Sequence, residues 1–398
     1  MLIQILLAIF IGIFFGTITG LIPGIHINLV GIFLISLSTT LLLKINPIYL
    51  ILFIAAMAIT HTFVDFIPAI FLGCPDGETE LSILPGHELL KQGKGYEAVL
   101  LSLYGSIFAI FVLILIAWPS TFFFPKIFEL TKNIMPWILI SVSLLLIIME
   151  KKKIPAIIAF SLSGILGYFV LNFKGLNQPL LPLLTGLFGL SIMITSIKNK
   201  TKIPEQDIRK MKFKKRKFIK PLLGSIIASP ICSFLPGLGA GQAAIIGNTI
   251  AKTDQRGFIV LLGATNTLVM GFSFITLYLL SKTRTGAAAA MKEIIGNLNI
   301  QLLILILIVM LISGIISFYW AKHLAKTFSK QINKINYTKL SLGIIILLVI
   351  MVGLLCGFLG LFVLILSTAL GIYCNSLGVR KTLMMGCLMV PTIILYLS

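Results

Sequence analysis

Long apolar runs alternate with short polar interruptions along almost the whole chain. Runs such as 98–118 and 298–320 reach the roughly 20 residues that an α-helix needs to cross a bilayer. Segments 27–43, 135–149 and 239–251 are shorter and are typical of re-entrant or broken elements, so we expect 12 to 14 membrane segments. The approximate limits of all fourteen candidates are 2–22, 27–43, 48–72, 98–119, 135–149, 154–171, 180–197, 221–236, 239–251, 257–280, 298–320, 340–356, 358–377 and 382–397.

Composition places this pattern in a membrane. Hydrophobic residues make up 58% of the chain and charged residues 11%, whereas soluble domains carry about 25% charged residues. Residues 1–15 have no preceding Lys or Arg and no small-residue cleavage site, so we interpret them as a retained first span rather than a signal peptide. The five Cys form no CxxC motif and indicate neither disulfides nor a metal site. The sequence predicts an all-α polytopic membrane protein.

The basic residues are unevenly distributed. Eleven of the 32 lie in 198–220, and a basic block beside spans is typical of a cytoplasmic loop that contacts anionic lipid headgroups. No zinc-finger or RNP-type motif accompanies this block, so we expect no nucleic-acid partner. If all segments cross, 25 of the 32 basic residues fall on one side. This asymmetry predicts a multi-pass cell-membrane protein with the basic loop in the cytoplasm and both termini outside.

Two motifs occur twice in the same order. LIPGI around Pro23 recurs as FLPGL around Pro236, 213 residues later. HTFVDF at 61–66 resembles NTLVMG at 266–271, with an offset of 205. Seven predicted segments precede the second copy, and an odd number inverts it in the membrane. Inverted repeats with interrupted helices at matching positions are typical of secondary transporters.

The repeat defines the predicted organisation. We expect a first membrane repeat at 1–197, a basic cytoplasmic linker at 198–220 and an inverted second repeat at 221–398. Each repeat would contain a broken or re-entrant helix at its Pro-Gly motif.

Those interruptions are the predicted substrate site. A Pro-Gly break within an apolar segment leaves backbone groups that must be satisfied by protein or by a water-filled cavity. The helix that restarts after a break directs its N–H groups towards that point, which suits a carboxylate. A simple kink or tight turn is the alternative. The predicted substrate-binding residues are Pro23, Gly24, His26, Asn28, Pro236, Gly237, Gly239, Asn266 and Thr267.

His61 and Asp65 lie one helical turn apart within an apolar segment. Ionisable groups inside a membrane are costly and usually line a pathway, form pairs or carry protons. We predict that these two couple transport to Na⁺ or H⁺, with no other cofactor. A buried structural pair is one alternative. An intramembrane enzyme that uses them with a metal or a lipid-linked substrate is another, although two ligands do not complete a metal shell and HExxH is absent.

Two polar stretches receive simpler interpretations. Residues 73–98 hold five carboxylates among glycines and lysines, and we expect a solvated cytoplasmic loop. Residues 321–339 have Lys about every four positions and predict an amphipathic surface helix. No P-loop is present, so ATP-driven transport by this chain alone is not expected.

These motifs resemble those of the large membrane subunit of tripartite tricarboxylate transporters, the TctA family, and in particular its archaeal DUF112-like branch. The resemblance rests on the Pro-Gly segment at 20–31, on GCPDGETELSILPGHELLKQGKGYEAVLLSLYGS at 73–106, on LPGLGAG at 235–241 and on ATNT at 264–267. It covers most of the chain in order. The chain departs from the family pattern at His26, where members usually carry Gly.

The resemblance implies a permease that imports a small organic anion, a di- or tricarboxylate, by cation symport, and it implies no enzymatic activity. It also implies a small membrane subunit and an extracytoplasmic binding protein as partners, in addition to membrane lipids. An oligomer is compatible with the sequence. Together with the inverted repeats, the expected mechanism is alternating access between the two halves.

Overall fold

The computed structural model describes residues 2–22, 45–73, 81, 83–176, 178–198, 204–208, 216–234, 240–283, 285–332 and 337–397. Within these ranges the chain is almost entirely helical and contains no strand. The predicted all-α class is therefore confirmed.

The helices follow one another with short connections. A π-helical segment, Thr185–Leu190, joins α7 to α8, and a 3₁₀ segment, Lys381–Met385, precedes α15. In chain order the α-helices are α1 (Leu2–Leu21), α2 (Pro47–Val64), α3 (Phe66–Leu72), α4 (Ile83–Lys91), α5 (Gly95–Ile148), α6 (Lys153–Asn172), α7 (Leu180–Leu184), α8 (Ser191–Lys198), α9 (Arg216–Phe234), α10 (Ala240–Ala251), α11 (Gln255–Leu280), α12 (Gly286–Ile295), α13 (Ile300–Gln331), α14 (Tyr337–Ser376) and α15 (Gly386–Leu397).

Seven helical stretches in the described residues are long and apolar enough to cross a membrane, and three shorter apolar helices accompany them. The predicted segment 27–43 lies outside the described residues. The helix α9 begins at Arg216, inside the stretch predicted as the linker.

Two helices form the centre of the fold. In the α2–α3 stretch Pro47–Leu72 and in α11, 94% of the most apolar window is buried, whereas the other candidate spans reach 22–56%. The helix α1 packs along α2, and α9 packs along α11. The long helices α13 and α5 then pack on α2 and α11, respectively, and α2 and α11 contact each other.

The stretch Gly95–Ile148 forms one helix of 54 residues. The sequence predicts two segments here, 98–119 and 135–149, with a loop between them; the residues between are helical instead. Pro119, Pro125 and Pro136 lie within the helix. Each Pro removes one backbone hydrogen bond, and membrane helices tolerate this where neighbouring groups satisfy the freed carbonyl.

The helix α14 folds back on itself at Gly357, whose φ of 65° and ψ of −162° are not helical. A Cβ built on Gly353 would lie 3.7 Å from Cδ1 of Leu361, eight residues later. In a continuous helix residues eight apart are separated by about 12 Å along the axis. The predicted boundary between segments 340–356 and 358–377 therefore falls at the turn of a helical hairpin.

Loops that the sequence predicts on one side of the membrane contact one another. Arg256 Nε lies 2.8 Å from Glu97 Oε1, and Gln255 Nε2 donates to Glu88 Oε2 at 2.8 Å. Gln206, in the predicted linker, accepts from the Gly95 backbone N–H at 2.8 Å. These contacts join 85–97, 204–208 and 254–256 at one end of the molecule.

Two polar stretches between apolar segments, 73–97 and 281–297, each contain a helix. Within 73–97, which we expected to be a solvated loop, α4 buries His87, Leu89 and Leu90. Within 281–297, α12 buries Ala287 and Met291. The charged residues misled the interpretation, because they lie on the outer faces of helices whose apolar faces pack on the core. The predicted amphipathic stretch 321–339 begins as the continuation of α13, up to Gln331.

Candidate functional site

Asp65 lies in the interruption between α2 and α3, in the centre of the fold. Pro68 lacks the N–H that would bond to the Val64 carbonyl, which explains why the helix is interrupted here. The Asp65 backbone N–H still donates to the His61 carbonyl at 3.0 Å. Only 2% of Asp65 is exposed. The interruption between α2 and α3 thus places a carboxylate among the buried helices at the centre of the fold.

Asn266 of α11 reaches this carboxylate. Its Nδ2 donates to Asp65 Oδ2 at 2.8 Å, and both residues are buried. The two copies of the repeated motif are offset by 205 residues, so the counterpart of Asn266 in the first copy is His61 and not Asp65. The structure therefore brings together predicted site residues from the two motifs, but not as equivalent positions.

A second bond joins the same two helices one turn away. Thr62 Oγ1 and Thr267 Oγ1 are 3.2 Å apart. The Thr62 hydroxyl hydrogen is directed to the Ile59 carbonyl at 2.9 Å. Thr267 is therefore the donor and Thr62 the acceptor, because a hydroxyl has a single hydrogen.

His61 faces α1 rather than α11. Its Nδ1 forms a hydrogen bond with Oγ1 of Thr19 at 3.1 Å, and the Thr19 hydroxyl also lies 3.2 Å from the Gly16 carbonyl. The ring tautomer sets which of the two side chains donates. Only 3% of His61 is exposed.

The cluster extends to a fourth helix. Ser317 of α13 donates to Thr60 Oγ1 at 2.9 Å, and Thr60 donates to the Ala56 carbonyl at 2.8 Å. We call this set the central polar cluster; its members come from α1, α2, α11 and α13 and from the break after α2. They are Thr19, Thr60, His61, Thr62, Asp65, Asn266, Thr267 and Ser317.

The remaining predicted site residues cannot be placed against this cluster. They lie outside the described residues. The described chain stops at Ile22, after α1, and resumes at Ile45; it stops again at Phe234, at the end of α9, and resumes at Ala240, the first residue of α10. These residues are Pro23, Gly24, His26, Asn28, Pro236, Gly237 and Gly239.

Sequence reasoning missed four of the five hydroxyl residues of the cluster, since only Thr267 was predicted. Thr60 and Thr62 flank His61 in an apolar segment, and this T-H-T run was an available signal. Thr19 and Ser317 gave none, since single hydroxyl residues are common in membrane helices, where they bond to a carbonyl of their own helix. Their role depends on which helices pack together.

The chemistry of the cluster is that of one buried carboxylate among neutral donors and acceptors. A carboxylate can hold a proton or contribute to a Na⁺ site, and hydroxyl and amide oxygens are suitable further ligands for Na⁺. Among the described residues, no three His, Cys, Asp or Glu side chains come close enough to hold a metal ion together.

The sequence matches known proteins over nearly its whole length. The family model of the Tripartite tricarboxylate transporter TctA family matches residues 6–386. An uncharacterized protein of Methanocaldococcus jannaschii is 33% identical over 387 residues, which cover 94% of this chain and 94% of the relative. No solved structure matches. The chain thus belongs to the Tripartite tricarboxylate transporter TctA family and is a multi-pass membrane transport protein.

Proposed function

We propose that this protein is a secondary active permease for small organic anions, of the di- or tricarboxylate class, coupled to Na⁺ or H⁺. The observation that carries the proposal is the Asn266–Asp65 hydrogen bond, which connects the two central helical stretches through a buried acidic residue. A cation or proton at Asp65 would alter the contact between α2 and α11. Substrate binding at the predicted Pro-Gly breaks would then depend on that ion.

Alternating access of two inverted halves is the proposed mechanism. The packing of α13 on α2 and of α5 on α11 is what a pseudo-two-fold axis between 1–197 and 221–398 would produce. The Thr62–Thr267 bond joins residues 205 positions apart, which is the offset of the repeated motifs. Equivalent residues can contact each other only close to such an axis.

The outer helices support the same symmetry. Ser163 and Gly167 of α6 have counterparts 204 residues later in Ser367 and Gly371 of α14. Gly167 meets the backbone of Cys387 in α15, and Gly371 meets the backbone of Leu187 in the π-helical segment. The α6–α15 contact thus resembles the contact between α14 and the π-helical segment, which is expected of repeats.

In this proposal the basic loop 198–220 faces the cytoplasm and both termini face outwards. This orientation follows from the excess of basic residues on one side of the membrane. TctA proteins are the large subunit of tripartite transporters, which also contain a small membrane subunit and a periplasmic binding protein. We propose corresponding partners for this chain: a small membrane subunit and an extracytoplasmic binding protein that delivers the anion.

Uptake into proteoliposomes tests the proposal. Purified protein is reconstituted and supplied with labelled citrate, succinate or malate under an imposed Na⁺ gradient, an imposed H⁺ gradient or none. We expect saturable uptake that requires one of the gradients, enhanced by the binding protein if its gene is available. Absence of uptake for every organic acid, with folded protein and the partner subunits present, would refute the function.

A further inference from the structure

Two short basic loops meet at one end of the molecule, away from the central polar cluster. One loop, 150–153, joins α5 to α6, and the other, 377–380, follows α14. Glu150 and Arg380 form an ion pair that connects them. Lys152 reaches across as well, with its Nζ 3.5 Å from the Cβ position of Gly378.

Positive charge is in excess here. Glu150 is buried and its carboxylate is already bonded to Arg380. Lys153 donates to the Ile148 carbonyl at the end of α5. Lys151 and Lys152 remain exposed at the junction. We call Lys151, Lys152 and Arg380 the basic clasp.

Apolar surface begins directly beside the clasp. Ile154 is 72% exposed and Ile157, on the same face of α6, is 48% exposed. Exposed apolar side chains continue along α6 as far as Phe169. The positive charges thus lie at the end of an apolar stripe about one membrane leaflet or more in length, since α6 has 20 residues.

We propose that the basic clasp binds the headgroup of an anionic phospholipid, with an acyl chain along the outer face of α6. The charge complements a phosphodiester, and the stripe complements a tail. Nucleic acid or free phosphate would contact only the basic clasp and would leave the apolar stripe of α6 uncovered. The clasp would hold lipid where the connection between α5 and α6 meets the segment after α14. The proposal is independent of the transported substrate.

Lipid binding to the full-length protein in neutral detergent tests this. Native mass spectrometry with phosphatidylglycerol or phosphatidylcholine counts bound lipids for the wild type and for K151Q/K152Q, both exposed positions. We expect preferential binding of phosphatidylglycerol, weakened about tenfold in the variant because each cation near a headgroup contributes to binding. The matched control is K322Q/K326Q, which removes the same charge from α13 elsewhere. An equal loss in both variants, or none in K151Q/K152Q, would overturn the specific site.

A second measurement distinguishes the source of the phosphate. Thermal stability is compared in phosphatidylglycerol, in sn-glycerol 3-phosphate and in inorganic phosphate at equal concentration. We expect a rise in Tm with the lipid alone, reduced in K151Q/K152Q and weakened at high ionic strength. An equal rise with either free phosphate would show that the tail is not recognised and would contradict the proposal.

Discussion

Thr267 donates a hydrogen bond to Thr62, and the two hydroxyl oxygens are 3.2 Å apart although the residues are 205 positions apart in the chain. The bond links the two most buried helical stretches, α2–α3 and α11, within the central polar cluster. Its neighbour is the Asn266–Asp65 bond, so the two halves of the chain meet through polar groups rather than through apolar packing alone.

A double-mutant cycle tests this contact. We expect Thr62→Val and Thr267→Val each to lower the free energy of unfolding in detergent by about 0.5–1.5 kcal/mol, because a buried hydrogen bond is lost. The loss of stability in the double variant should be smaller than the sum of the losses in the two single variants. We expect a coupling energy of about 0.6 kcal/mol, as between other membrane helices.

The control cycle pairs Thr62→Val with Thr265→Val. The Thr265 hydroxyl bonds to the Leu261 carbonyl of its own helix at 2.7 Å. These two substitutions should be additive. Additivity in the Thr62–Thr267 pair as well would mean that the contact contributes nothing across the interface.

The apolar pattern predicted the helical class because membrane-spanning helices must satisfy every backbone group internally. It also located the turn at Gly357, where a Gly ends one run and begins another. It did not predict that 83–91 and 286–295 are helices, since amphipathic helices at a membrane surface carry the same charges as loops. The periodicity of buried side chains distinguishes such a helix from a loop, but which side chains are buried depends on the tertiary fold.

The two residues predicted to couple transport to an ion lie one turn apart in the chain, but their partners were not foreseeable. His61 contacts Thr19 of α1, and Asp65 contacts Asn266 of α11. Pairing across helices depends on the rotation of each helix about its axis. The apolar pattern sets that rotation only loosely, because lipid and protein interior are both apolar.

The His61–Thr19 contact should contribute to stability. Thr19→Val removes the hydrogen-bond partner of His61 Nδ1 in a buried site, and we expect a loss of about 1–3 kcal/mol in the free energy of unfolding. Thr17→Val is the matched control, since the Thr17 hydroxyl bonds to the Ile13 carbonyl of its own helix at 2.8 Å. Equal effects of the two variants would count against a role for the interhelical bond.

The α6–α15 interface requires Gly167. A Cβ added there would lie 2.6 Å from the carbonyl carbon of Cys387, which is backbone and cannot move aside. We expect Gly167→Ala to cost about 1–3 kcal/mol through overpacking. In contrast, a Cβ at Gly343 of α14 meets nothing within 4 Å, so Gly343→Ala should leave the Tm unchanged or raise it slightly. A neutral Gly167→Ala would mean that the two helices are less closely packed.

Asp254 gives a specific acid sensitivity at the start of α11. The backbone N–H of Gly257, which donates to its carboxylate at 2.8 Å, lowers the pKa of Asp254 below 3.8, and Lys217 acts in the same direction. Because the folded-state pKa is depressed, the stabilisation is complete above pH 3.8 and is lost as the pH falls through the lower folded value.

Thermal scans between about pH 7 and pH 3 check this effect. Asp254→Asn keeps an oxygen acceptor for the helix N-terminus, so its Tm at neutral pH should be close to that of the wild type. At acidic pH the wild type should lose more stability than the variant, by less than about 1 kcal/mol since the ion pair with Lys217 is exposed. Parallel profiles for the two proteins would contradict the assignment.

Asp65→Asn separates substrate binding from ion coupling. The Asn side chain keeps an oxygen that can accept from Asn266 Nδ2, so the α2–α11 contact and the fold should persist. It cannot release a proton or carry a negative charge for Na⁺, and we therefore expect gradient-driven uptake in proteoliposomes to fall at least about tenfold. Exchange of labelled for unlabelled substrate without a gradient should be retained if the anion binds elsewhere in the site.

Glu97→Gln is the matched control, because it neutralises a carboxylate whose partner, Arg256, lies at the end of the molecule. Normal uptake by Asp65→Asn would remove the carboxylate from the coupling mechanism, and an equal loss in Glu97→Gln would show that the effect is not specific to the central polar cluster.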